Sequence, residues 1–286
     1  MTAKRLTGKE VTAKLMEELA QRAEALKSKG TVPCLAILRV GENPSDLAYE
    51  RGALKKAETA GIEVKMFVLA EDASQDEVLK AIDVINKDDS IHGILAFRPM
   101  PKHINDEAIR NAIAPEKDMD GVTDGSLAGV FTGTDLGYPP CTARACIEIL
   151  DYYGIDPKGK KTVVIGRSLV IGRPVAMMLM HKNATVTICH TRTPREDLEK
   201  YCRDADILVA AAGVAGNVGK DLLSEQQVVI DVGINVGEDG KMCGDVVLSE
   251  ADEIVSAVTP VPGGVGGVTS AILMKHVIEA AEKTQK

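Results

Sequence analysis

The residues best able to do chemistry form a glycine turn between an apolar run and a following helix. Thr162-Val163-Val164-Ile165-Gly166 leads into Arg167-Ser168 and then Gly172, and this Gly166-x-Ser168-x-x-x-Gly172 spacing differs from the GxGxxG fingerprint. The physics is similar: Gly166 permits a tight turn, and the next helix points unpaired N–H groups at a phosphate. Arg173 and Pro174 fall in that helix's first turn, where proline loses no hydrogen bond. NAD-binding units place an acid about 20 residues past the glycine loop, against the ribose 2′-hydroxyl. Here the comparable position reads His190-Thr191-Arg192-Thr193, with hydroxyls and a cation but no carboxylate. A carboxylate would repel a 2′-phosphate, whereas Arg192 or Arg167 can pair with it, so NADP is favoured over NAD. Two later apolar runs, 205–213 and 228–234, end on Gly213 and on Asp231-Val232-Gly233-Ile234-Asn235. Glycines at the carboxyl ends of parallel strands let a flat ring approach the backbone. Taken singly, these residues also suit an ordinary strand–turn–helix and a solvated loop arginine.

Composition narrows the classes. The 286 residues are 45% hydrophobic and 27% charged, enough to bury a sizeable core. The formal net charge of -8 disfavours nucleic acid but leaves room for an anionic small molecule held by a local cluster of donors. Charges recur every few residues through the first thirty, so no secretory signal is expected, and no run of 18 apolar residues suggests a membrane span. Six cysteines lie far apart with no CxxC pair, and no His, Asp or Glu cluster has metal-ligand spacing. The expectation is a cytoplasmic α/β enzyme with reduced thiols and no metal.

The elements that must position these residues follow from periodicity. Residues 5–29 read as one amphipathic helix, 33–41 as a buried strand and its turn, and 44–60 as a helix stopped by Gly61. A strand over 62–69, a helix capped by Ser74 and a strand over 91–97 complete a β/α alternation, which implies a parallel sheet. Residues 115–141, rich in Gly, Pro and Asp, read as irregular. A second alternation follows, with helices over 142–153, 172–182 and 194–203 and strands over 160–166, 184–190, 205–213 and 228–234; the last helix spans 269–283. The spacing predicts two α/β domains joined near 120–145.

In combination, these residues resemble the methylenetetrahydrofolate dehydrogenase/cyclohydrolase family. The resemblance is carried in order by GENPSDLAY (41–49), HGIL (92–95), PEKDMDG (115–121), PPCTA (139–143), GRSLVIGRP (166–174), ATVTICHTRT (184–193), ADILVAAAG (205–213), VVIDVGIN (228–235), GDV (244–246) and TPVPGGVG (259–266). Three departures stand out. The family's tyrosine helix continues Tyr-Val-x-x-Lys-x-Lys, whereas Tyr49 here is followed by Glu50-Arg51-Gly52-Ala53-Leu54-Lys55-Lys56. The position of the catalytic lysine is thus Ala53, and the glutamine that pairs with that lysine is replaced by Phe97. PGGVGP-Met-Thr also becomes PGGVG-Gly267-Val268-Thr269, and PCTPxG becomes PCTARA.

The resemblance implies a folate-binding domain over 1–120, joined by the C-terminal helix 269–286, and a Rossmann-like NADP-binding domain over 140–268. It implies hydride transfer from 5,10-methylenetetrahydrofolate to a nicotinamide, tetrahydrofolate derivatives as partners, and a homodimer. It sets Tyr49 against the folate ring system, Asp120 on the pterin's amino and ring N–H edge, and Pro262, Gly263 and Gly264 beside the reacting centre. Gly166, Arg167, Ser168, Gly172, Thr191, Arg192, Gly213, Gly233 and Ile234 are left to the cofactor. Hydride transfer itself needs orientation more than acid or base. Hydrolysis of the methenyl product needs a positioned acid/base, a contribution of roughly 10²–10⁴-fold, and Ala53 cannot supply one. Lys56 lies three residues past Ala53 on nearly the same helix face, about one turn (roughly 5 Å) along; a solvated or ion-paired Lys56 is the competing reading. Three functions compete: a dehydrogenase with weak or absent hydrolysis, a bifunctional enzyme in which Lys56 or water replaces the lysine, and a non-catalytic folate- or nucleotide-binding protein.

Overall fold

The computed structural model describes residues 2–237 and 240–285, which fall into two compact α/β units. One comprises residues 1–12 with 142–269, the other 13–141 with 270–286.

The first unit is built on six parallel strands in the order Lys4–Arg5, Ala257–Val258, Val228–Asp231, Ile207–Ala210, Lys161–Ile165, Thr185–Cys189. Ile207–Ala210 is buried along its whole length, as befits a strand covered on both faces. Lys161–Ile165 pairs with Thr185–Cys189 on one side and Ile207–Ala210 on the other. The strand order therefore reverses at Lys161–Ile165, and in such sheets ligands bind outside the carboxyl ends at that reversal. The second unit centres on three parallel strands in the order Glu63–Leu69, Cys34–Val40, Gly93–Ala96. Val78, Ile82 and Ile85 of helix Gln75–Lys87 pack with Ile91 and Ile94 into its core. Ser74 and Glu77 form the reciprocal cap that starts that helix.

Three expectations change. The chain enters as strand Lys4–Arg5, and the first helix spans Gly8–Ser28, because Lys4 and Arg5 pair with Ala257 and Val258 at the sheet edge. A two-residue strand is too short to interrupt helical periodicity. Within 115–141 the structure has a short 3₁₀ turn at Pro115–Lys117 and a helix at Asp124–Thr132. Two glycines dilute that helix's apolar pattern, while the Thr123 hydroxyl caps its start and Gly133, with φ +69°, stops it. The last helix begins at Val265, four residues before 269. The six cysteines are free thiols, and no helix among the described residues is long and apolar enough to cross a membrane.

Candidate functional site

In the six-stranded unit the glycine turn forms, though its N–H groups are used differently from the sequence expectation. Gly166 sits at φ +131°, and a Cβ there would lie 2.2 Å from the Ala211 carbonyl oxygen. A Cβ on Gly172 would lie 2.3 Å from the Gly166 carbonyl oxygen, so strand tip and helix start meet backbone to backbone. Ser168 turns back into the gap. Its Oγ accepts from the Ile171 N–H at 3.1 Å and the Gly172 N–H at 3.5 Å, and its carbonyl accepts from the Arg173 N–H at 3.0 Å. The helix's first donors are thus taken by the turn itself, which leaves anion binding to side chains.

Those side chains surround a cavity of about 380 Å³ lined by Gly166, Arg167, Ser168, Thr191, Thr193 and Arg195, among others. Its lining residues include two arginines and no carboxylate. The fit to a phosphorylated dinucleotide is good, because a glycine turn and two arginines line one space at the sheet's reversal point. The turn 190–193 closes on itself: the His190 N–H donates to Thr193 Oγ1 at 3.0 Å, and the Arg192 N–H donates to His190 Nδ1 at 3.2 Å. Arg192 is exposed and does not line the cavity. Arg195, which the sequence reading passed over, does.

Two buried aspartates hold the loops that carry Gly213, Gly233 and Ile234. Asp245, fully buried, accepts from the Ala212 and Gly213 N–H groups at 2.6 and 2.9 Å, from the Val214 N–H at 2.9 Å and from Asn235 Nδ2 at 2.9 Å. Asp231 accepts from the N–H groups of Gly233 at 2.9 Å and of Asp245 and Val246 at 3.0 Å. Burial pushes the Asp231 carboxyl up to about 6 despite those donors. A Cβ on Gly233 would lie 2.2 Å from Asp245 Oδ1, so glycine is required there by the carboxylate it packs on. Sequence reasoning assigned neither aspartate a role; the signal was the GDV stretch. Ile234 is 66% exposed. Pro262, Gly263 and Gly264 form a turn braced by the chain's start: the Gly8 N–H donates to the Gly263 carbonyl at 2.8 Å, and Gly263 adopts φ +103°.

In the three-stranded unit, helix Pro44–Ala60 starts under an Asn43 cap and stops at Gly61. It carries Tyr49, whose ring meets that of Phe97 edge to face, with centroids 5.8 Å apart. Burial and then the charge of Asp120 push the Tyr49 hydroxyl well above its ordinary value, so the two residues expected on the folate act on each other. Asp120 follows Asp118, whose carboxylate fixes the loop by accepting from the Val122 N–H at 3.1 Å and the Thr123 N–H at 2.7 Å. Burial, reinforced by the Asp118 charge, pushes the Asp120 carboxyl up to about 6, partly offset by a hydrogen bond from Cys141 and the charge of Arg98. Behind the loop, the Met119 carbonyl accepts from Cys141 Sγ at 3.2 Å and lies 2.8 Å from His276 Nδ1. Burial raises the Cys141 thiol well above its ordinary value, so it is no activated nucleophile.

Ala53 is 1% exposed and Phe97, the residue against the Tyr49 ring, 8%; both are apolar. Lys56 lies on the same helix, where its Nζ donates to Ser270 Oγ and burial lowers its pKa. The structure therefore brings Tyr49, Asp120 and Phe97 together and ties the Lys56 ammonium to the last helix. No grouping of three or more His, Cys, Asp or Glu side chains able to hold a metal ion occurs among the described residues.

Both halves of the chain match known proteins. Residues 6–120 match the tetrahydrofolate dehydrogenase/cyclohydrolase catalytic domain, and residues 140–285 match the NAD(P)-binding domain of the same family. The bifunctional protein FolD of Carboxydothermus hydrogenoformans is 51% identical over 282 residues, 98% of each chain. The solved bifunctional FolD enzyme of Campylobacter jejuni is 40% identical with a TM-score of 0.94, covering 99% of both chains. The Trypanosoma brucei enzyme, solved with NADP and an inhibitor, is 31% identical with a TM-score of 0.89, covering 100% of this chain and 99% of that one. The chain belongs to the tetrahydrofolate dehydrogenase/cyclohydrolase family.

Proposed function

We propose that this protein is an NADP-dependent 5,10-methylenetetrahydrofolate dehydrogenase whose hydrolysis of the methenyl product is weak or absent. The observation that carries the reading is the buried apolar pair Ala53 and Phe97, where the resemblance expects a lysine and its amide partner. Without a titratable group there, no side chain at that position can take a proton from attacking water or return one to the ring nitrogen. The bound nicotinamide supplies the hydride acceptor. Asp120 offers the pterin an acceptor-only carboxylate, suited to an edge of N–H donors. Tyr49 packs on the folate ring system.

In the cofactor unit, Arg167 and the hydroxyls of Ser168 and Thr191 hold the phosphorylated half, and Gly213, Gly233 and Ile234 flank the ring. The two arginines and absent carboxylate of the cavity favour NADP, as does the NADP bound by the Trypanosoma brucei relative. The test is product identity: incubation with methylenetetrahydrofolate and NADP should yield NADPH and methenyltetrahydrofolate in equal amounts, the latter persisting. Rapid appearance of formyltetrahydrofolate would contradict the reading.

A second reading keeps both activities through Lys56, and its desolvated amine bonded to Ser270 is the observation that favours it. Under that reading Lys56→Met abolishes hydrolysis and spares hydride transfer. The family resemblance also suggests a cytoplasmic homodimer, which sedimentation of the purified protein would test for the oligomer.

A further inference from the structure

The cavity at the glycine turn is lined by a second arginine besides Arg167. Arg195 opens helix Arg195–Arg203 directly after the 190–193 turn and lines the cavity with Arg167 and Thr191. Its guanidinium is held on two sides: Nε donates to Glu199 Oε1 at 2.7 Å, one helical turn on, and Nη2 pairs with Asp221. Arg192 lies outside the cavity lining, with its backbone N–H engaged by His190. Charge bookkeeping gives the pocket a particular character. The +2 of Arg167 and Arg195 is offset by the −2 of Glu199 and Asp221, and Asp221 occupies the very group a second anion would use.

We propose that Arg195 reads the 2′-phosphate of the dinucleotide, and that Asp221 is a resident competitor for the same guanidinium which limits the preference for NADP. The inference rests on reading this cavity as the dinucleotide site. A phosphate monoester carries about two negative charges and three acceptor oxygens, so it can displace a single carboxylate from the Nη2 edge while Glu199 keeps Nε in place. An unphosphorylated ribose has neither, and Arg195 then stays with Asp221. Both side chains are about half exposed, at 52% and 44%, so the exchange needs no buried charge left unpaired.

The experiment is calorimetric titration of the full chain with 2′,5′-ADP and with 5′-AMP, which differ only by the phosphate in question, together with NADP and NAD. Arg195→Gln should weaken 2′,5′-ADP about 10- to 100-fold, the range of a lost charge-assisted bond, and leave 5′-AMP within about twofold. Asp221→Asn should tighten 2′,5′-ADP by roughly two- to fivefold, the scale of an exposed ion pair. No substitution at a pure structural support would strengthen one ligand alone. Equal weakening of both nucleotides by Arg195→Gln, or weaker 2′,5′-ADP binding in Asp221→Asn, would overturn the inference and leave the dinucleotide site standing. Loss of 2′,5′-ADP selectivity in Arg192→Gln with none in Arg195→Gln would also overturn it. A wild-type protein that binds neither nucleotide would instead overturn the reading of the cavity itself.

Discussion

Replacing Asp120 by asparagine should make the protein more stable and its grip on folate weaker. Burial and the neighbouring Asp118 raise the Asp120 carboxyl from an ordinary 3.8 to about 6. At about 1.4 kcal/mol per pKa unit, keeping it ionised costs the folded chain about 3 kcal/mol. The sign follows from linkage: between about pH 4 and 6 the folded chain holds this proton and the unfolded chain has released it, so stability falls as pH rises through that window and stays lower above it. Asparagine cannot ionise and escapes the cost. Urea unfolding of both proteins from pH 4 to pH 7.5 should give curves that coincide near the acid end and separate with rising pH, the variant ending about 2–3 kcal/mol more stable. The folate KM should move the other way, upward by about 10- to 100-fold, because the pterin donors lose a charged acceptor. In the wild type that KM should also rise as pH drops below about 6, a dependence the variant lacks. A variant that is less stable at every pH, or a stability gap that does not change with pH, would refute the assignment of Asp120 as a strained, ionised acceptor.

The missing acid/base pair gives a second prediction. Ala53→Lys alone should recover little hydrolysis, because the position is 1% exposed and Phe97 offers the ammonium no hydrogen bond; Ala53→Lys with Phe97→Gln should recover more than the two singles combined, as expected if the introduced lysine and amide act as a pair, read as methenyl hydrolysis rates. Phe97→Gln should itself cost about 0.5–1.5 kcal/mol of ring–ring contact with Tyr49, beyond the burial it loses, in urea unfolding. Asp245→Ala strands three backbone N–H donors at once, so it should lower stability by more than about 3 kcal/mol and weaken NADP far more than folate in paired titrations.

The long, strongly periodic elements were legible in the sequence because burial imposes a repeat on them. Ile207–Ala210 reads as a continuous apolar run and Cys34–Val40 as one broken only by Arg39, and both are buried throughout. Lys4–Arg5, Asn235–Val236 and Met242–Cys243 were not legible, since two residues carry no period and their pairing is decided by distant partners. The glycine turn was recognisable from Gly166 and Gly172, but not the use Ser168 makes of its N–H groups, which depends on a side-chain rotamer. Arg195 is not legible as a site residue in the sequence, because its relevance comes from where helix Arg195–Arg203 begins, not from its distance along the chain to the glycines. Asp231 and Asp245 gain their roles only in the fold, which brings the 212–214 N–H groups onto the Asp245 carboxylate and the Asp245 and Val246 N–H groups onto Asp231.

Whether hydride transfer survives in this chain without enzymatic hydrolysis can be read from the intermediate between the two steps. Synthetic 5,10-methenyltetrahydrofolate is mixed with the purified protein, and its disappearance is followed against a protein-free control under identical buffer conditions, with dehydrogenase turnover of the same preparation confirming that the enzyme is active. Hydrolysis should run close to the protein-free rate alongside clear NADPH production from methylenetetrahydrofolate. Hydrolysis accelerated by roughly 10²-fold or more, the contribution of a positioned acid/base, would contradict that expectation.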